Sequence, residues 1–125
     1  MASPEAKAQR LFGAGPAYGV WLDLPSPEAA EIAGIVGADF GLIDLEHGAI
    51  SLETAARMAM ALRGRGATAL ARPPEADGAW IKRLLDLGAR GLIIPMVDDA
   101  ATAAAAVSAA LYPPRGRRGM AAAIV

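Results

Sequence analysis

Residues 40–48 read FGLIDLEHG, with Phe40, Gly41, Leu42 and Ile43 running straight into Asp44, Glu46 and His47. A short apolar run that ends in ionisable groups has the form of a buried strand emptying into the functional edge of an α/β protein. Side chains alternate faces along a strand, so Asp44 and Glu46 are expected on one side, and His47 falls where the strand gives way to a loop. His47 is also the only histidine in the chain. The plainer reading is a strand-to-helix loop carrying solvated acids, and the flanking sequence has to separate the two.

Upstream, residues 18–22 form a compact apolar run ending at Asp23, which predicts a first strand. Ser26, Pro27 and Glu28 then supply an N-cap, a first-turn proline and an early acid. Ala29, Ile32, Ala33 and Val36 recur at helical spacing, so they are expected as the inward face of a helix that Gly37 ends before a strand at 39–44. Downstream, Ser51 is a second cap candidate, and Leu52, Ala55, Ala56, Ala59 and Leu62 make a second stripe ending at Gly64 and Gly66. A strand at 67–71 runs into Arg72, where Pro73 and Pro74 forbid its continuation. A third helix is expected at 78–87 with Ile81, Leu84 and Leu85 inward, Trp80 in the core and Gly88 as terminator, followed by a strand at 91–94. Asp98 or Asp99 caps a fourth helix with Ala103, Ala106, Val107, Ala110 and Leu111 on its face, stopped by Pro113 and Pro114. A short lead-in helix around residues 6–12 precedes this array, and residues 115–125 read as a basic glycine loop and a stub.

Strands alternating with helices imply a parallel sheet, since each crossover helix must cover a sheet face. Two architectures satisfy the pattern: an open doubly wound sheet and about the first four units of a (β/α)8 TIM-type barrel. Trp21, Asp23, Asp44, Glu46, His47 and Arg72 all fall at C-terminal strand ends, where barrels carry their functional groups. An open nucleotide-binding sheet prefers a glycine-rich first turn, and residues 23–27 contain no glycine. The barrel is therefore the expected fold.

The chain has 125 residues, 12 basic and 13 acidic, for a formal charge of -1, which offers no field for nucleic acid or an anionic membrane. The apolar fraction of 54% leans on alanine, and no run of about 18 apolar residues suggests a membrane span. With no cysteine there is neither a disulfide framework nor a thiolate metal site, which suits a cytoplasmic protein. Glu5, Lys7 and Arg10 interrupt any signal-peptide pattern.

Histidine titrates near neutrality, at about 6.5 when unperturbed, which makes His47 the natural general base, and a carboxylate partner would sharpen that role. Arg72 offers a planar fork of donors to a carboxylate or a developing oxyanion. Asp44 and Glu46 can hold metal-bound waters or orient neighbouring groups, although two carboxylates do not make a metal site. Trp21 lines a pocket at the end of the first strand or is plain core. Arg115, Arg117 and Arg118, among glycines, form a loop that either receives an anion or is solvated.

GVWLDL at 19–24, LIDLEHG at 42–48, ARPP at 71–74, IKRLLDLGARGLIIPMV at 81–97 and YPPRGRRG at 112–119 together resemble the HpcH/HpaI aldolase family. The resemblance implies a metal-dependent class II pyruvate aldolase, a carbon–carbon lyase of the (β/α)8 type. Its substrates would be 4-hydroxy-2-oxo acids such as 4-hydroxy-2-oxoheptanedioate or 2-dehydro-3-deoxy sugar acids, split to pyruvate and an aldehyde. Carried over by position, it makes His47 the catalytic base, Arg72 the residue that binds pyruvate and stabilises its enolate, and Asp86 the acid that raises the basicity of His47. Trp21 would line the substrate pocket, and Asp44 and Glu46 would act through water. It also implies Mg2+, Mn2+ or Co2+, whose direct ligands, a glutamate and an aspartate, would come from the second half of the barrel, beyond residue 125. Residues 1–125 are thus expected to be the N-terminal part of one barrel domain, inactive until a complementing C-terminal half or a homo-oligomer completes it. From a different class, a non-catalytic remnant or oligomerising interaction module fits the same open edges, and a complete open-sheet binding protein is a third reading.

Overall fold

The structure, a computed structural model, describes Leu11, Gly13 and residues 15–120. The expected lead-in helix at 6–12 lies, apart from Leu11, outside the described residues, as does the stub at 121–125. The elements run β1 (Gly19–Leu22), α1 (Pro27–Ile35), β2 (Phe40–Asp44), α2 (Leu52–Gly64), β3 (Thr68–Arg72), α3 (Gly78–Asp86), β4 (Gly91–Leu92) and α4 (Ala100–Ala110). All neighbouring strands pair in parallel in the order β1-β2-β3-β4, so α1, α2 and α3 are each a crossover between adjacent strands, and α4 follows β4. No described helix is long and apolar enough to cross a membrane.

Local chemistry sets the helix starts. Ser26 accepts from the Ala29 N–H with Pro27 in the first turn, Ser51 accepts from Thr54, and Asp99 accepts from Thr102. Asp77, which the sequence reading passed over, caps α3 by accepting from Ala79 and Trp80.

One sheet face carries the core. Leu22, Ile43, Ala69 and Ala71 join Ala30, Ala33, Ala55, Met58, Ala59, Leu62 and Leu84 from the helices. A side chain at Gly41 would collide with Leu62, its Cβ falling 2.6 Å from a Leu62 methyl, so β2 and α2 approach closely here. The alternate residues, Trp21, Leu42 and Leu70 in one register row and Asp44 and Arg72 in the next, occupy the opposite face. Trp80, expected in the core, is partly buried against it.

Three helix faces differ from expectation. In α1 the buried residues are Ala30, Ala33 and Gly34, while Ile32 and Val36 are 58% and 73% exposed. A Cβ on Gly34 would lie 2.5 Å from Arg65 Cβ, so α1 sits too near the end of α2 for any side chain, even that of alanine, at this position. In α2, Met58 is fully buried alongside the expected Ala55, Ala59 and Leu62, and Ala56 is only half-buried. In α4 the inward pair is Ala106 and Ala109, packed with Ile81 of α3, and Val107 faces outward. An alanine-rich helix has too little contrast between its faces for spacing alone to orient it. The fourth strand shrinks to Gly91 and Leu92, paired with Leu70 and Ala71, before Pro95.

Candidate active site

The register of β2 on β3 sets Asp44 directly opposite Arg72 at the C-terminal edge of the sheet. Asp44 is 1% exposed. Its two oxygens receive five donors: Arg72 Nε to Oδ1 at 3.0 Å and Nη2 to Oδ2 at 2.5 Å, Trp21 Nε1 to Oδ2 at 2.9 Å, and the backbone N–H groups of Glu46 and His47 to Oδ1 at 2.9 and 3.3 Å. Burial alone would raise the Asp44 pKa, but the Arg72 fork, the indole and the two amides override it and hold the carboxyl well below the ordinary carboxylate range. Arg72 is shifted upward in return, chiefly by its hydrogen bonds to Asp44, against a smaller opposing effect of burial.

Glu46 lies on the other flank of the guanidinium, with Oε2 2.9 Å from Arg72 Nε. The angle does not make a hydrogen bond, and Oε2 is a buried acceptor without a hydrogen-bond partner. Its Oε1 is 3.8 Å from His47 Nε2. The imidazole is otherwise open, 73% exposed, on a loop whose backbone is tied down by Asp44. Gly48 lets this loop turn tightly: a Cβ there would lie 2.4 Å from the Asp44 carbonyl oxygen and 2.9 Å from that of Asp23. Trp21, half exposed, carries the Arg72 guanidinium above its ring at 4.7 Å from the centroid.

The structure thus gathers Trp21, Asp44, Glu46, His47 and Arg72 at one edge, and it does not bring Asp86 to them. Helix α3 starts beyond the C-terminal end of β3 and returns to the N-terminal end of β4, so its last residue lies toward the opposite edge from His47. Asp86 Oδ1 instead accepts from Arg118 Nη2 at 2.7 Å, and Arg118 stacks at 4.7 Å from the Tyr112 ring centroid. Within this chain a His47–Asp86 pair therefore does not form. The basic loop, which could have received an anion, is partly neutralised by this clasp, an interaction missed from sequence because its partners lie 32 residues apart. A cavity of about 850 Å³ lies beside β4, bordered by Asp86, Leu92, Ile94, Ala106, Tyr112 and Arg118 rather than by the Asp44 cluster.

The five donors on Asp44 leave its oxygens little capacity for a cation, and Glu46 Oε2 is the one buried carboxylate oxygen of the cluster still open. Among the described residues no group of three or more histidine, aspartate and glutamate side chains is placed to hold a metal ion. The donors present therefore do not form a complete metal site.

The chain is 45% identical over 125 residues to the hydroxypyruvate/pyruvate aldolase of Agrobacterium fabrum, covering 99% of this chain and 47% of that protein. To the protein of the same name from Pseudomonas aeruginosa it is 41% identical, covering 93% and 43%. Among solved structures, the HpcH/HpaI aldolase from Desulfitobacterium hafniense DCB-2 superposes with a TM-score of 0.84 at 34% identity, covering 94% of this chain and 46% of that one. An HpcH/HpaI aldolase/citrate lyase family protein from Burkholderia cenocepacia J2315 gives 0.85 at 33%, covering 95% and 49%. The chain spans about half the length of these relatives, in keeping with four β/α units of a TIM-type barrel. With the HpcH/HpaI aldolase/citrate lyase model matching residues 17–125, the chain belongs to that family.

Proposed function

We propose that these residues are the N-terminal part of a class II aldolase barrel that cleaves a 4-hydroxy-2-oxo acid to pyruvate and an aldehyde. The observation that carries this reading is the Asp44-anchored Arg72 at the strand edge beside the loop that bears His47. In the proposed retro-aldol step His47 takes the proton of the C4 hydroxyl. The O–H electron pair becomes the aldehyde carbonyl, the C3–C4 bond breaks, and its electrons pass to C3 as the enolate of pyruvate, which a proton on C3 then quenches. Arg72 donates to the substrate carboxylate and the enolate oxygen, where negative charge develops. Trp21 borders the substrate, and Glu46 meets the imidazole on one side. Asp86 remains proposed as an acid for His47 only across an assembly, since within one chain it takes Arg118.

The complete barrel is proposed to use a divalent cation, Mg2+, Mn2+ or Co2+, with its direct ligands outside the described residues. Such a cation polarises the substrate carbonyl when bound. A cytoplasmic setting belongs to the same proposal and is supported by the absence of cysteine.

The test is pyruvate release from 4-hydroxy-2-oxoheptanedioate with Mg2+, Mn2+ or Co2+, using the 125-residue chain alone and mixed with the C-terminal half of the Agrobacterium relative. The expected result is activity in the mixture only, lost in His47→Ala and Arg72→Ala. Activity that survives both substitutions overturns the reading, and a sized homo-oligomer inactive in every mixture favours an interaction module instead.

A further inference from the structure

We propose that Trp21 is a positioning residue for Arg72, rather than simply a wall of the pocket. Two parts of the indole are already engaged. Its N–H donates to Asp44 Oδ2 at 2.9 Å, and its ring lies beneath the Arg72 guanidinium at 4.7 Å. Asp44 in turn grips Nε and Nη2 of the same guanidinium. Indole, carboxylate and guanidinium therefore form a closed triangle in which each member restrains the other two. The sheet register sets its corners: Trp21 stands opposite Leu42, two residues before Asp44 on the same face, and Asp44 stands opposite Arg72.

A guanidinium held this way has a restricted offer to a ligand. The Nε/Nη2 edge belongs to Asp44, one face belongs to Trp21, and Glu46 Oε2 stands 2.9 Å from Nε. Asp44 engages Nε and Nη2, which leaves Nη1 as the nitrogen it does not hold. An anionic substrate carboxylate therefore meets the end of the guanidinium rather than its side. Arginine side chains carry considerable rotameric freedom, and the triangle removes it before a ligand arrives. The consequence for catalysis rests on the aldolase reading, whereas the restraint of Arg72 can be measured without substrate.

The measurement is hydrogen exchange of the Arg72 Nε–H by NMR, assigned with Arg72→Lys and compared with exposed Arg57. In the native chain this proton should exchange slowly. Trp21→Leu, which removes both the N–H and the ring face, should accelerate it about tenfold, the factor carried by one hydrogen bond of ordinary net strength. Trp21→Phe keeps a ring but not the N–H, and should accelerate it about threefold as the partial rescue. Exchange as fast as Arg57 in the native chain, or unchanged in a folded Trp21→Leu, overturns the proposal. If Trp21→Leu does not fold, an unchanged rate in Trp21→Phe overturns it equally. Because no substrate enters, an inactive mixture with slow Arg72 exchange counts against the aldolase reading and not against this one.

Discussion

Replacing Asp44 by asparagine keeps the shape of the side chain and removes its charge, leaving one oxygen where five donors converge. Whichever way the amide turns, its NH2 faces either Arg72 Nε and two backbone amides or Arg72 Nη2 and the Trp21 N–H. Arg72, with an 18% exposed side chain, is then left largely buried beside a dipole pointing the wrong way. Removing one partner of such a pair costs about 3–5 kcal/mol. At a urea slope of about 1.5 kcal/mol per M, the unfolding midpoint at pH 7 should fall by about 2–3 M.

The pH dependence carries a sign. The folded carboxyl titrates below its unfolded value of about 3.9, so as the pH drops the unfolded chain takes up the proton first. The native chain's advantage over Asp44→Asn is therefore complete above about pH 5 and shrinks by about 1.4 kcal/mol per unit below pH 4. A midpoint change worth less than about 1 kcal/mol, or a gap between the proteins that stays constant down to pH 2.5, would refute the reasoning.

Gly48→Ala forces a methyl against the carbonyl oxygens of Asp44 and Asp23 and should cost about 2 kcal/mol in the same urea assay. Asp77→Ala removes the acceptor for Ala79 and Trp80 and should lower stability by about 1 kcal/mol. Arg72→Lys cannot span both oxygens of Asp44, so pyruvate release by the reconstituted barrel should fall at least about 100-fold. An Arg72→Lys enzyme within a fewfold of the native rate would show that the planar fork is dispensable.

The first three strands and most caps were legible because they depend on neighbours in sequence: apolar runs closed by proline or glycine, and Ser26, Ser51 and the Asp98–Asp99 pair just ahead of their helices, whereas the Asp77 cap was passed over. The orientation of α1 and α4 was not, since alanine and glycine carry little hydrophobic contrast and the inward side was decided by how closely the next helix approaches. The site divides along the same line. His47, Asp44, Glu46 and Arg72 stand out as polar residues at strand ends. That Asp44 and Arg72 would be opposite one another depends on a register that no single strand encodes, and the indole bond of Trp21 depends on it as well. Asp86 entered only through the family resemblance, and the direction of α3 carries it to Arg118.

The pairing of Asp44 with Arg72 also acts as a ruler for assembly. If β3 slipped by one residue along β2, every side chain of β3 would exchange faces. Arg72 would then enter the apolar layer of Met58, Leu62 and Leu84, and Asp44 would keep its charge in a dry place with no cation opposite. Alanine-rich strands such as Thr68–Arg72 have little bulk with which to resist slippage. A single ion pair at the end of the ladder penalises the wrong alignments far more than the native one, so the group proposed to bind substrate also selects the sheet that presents it.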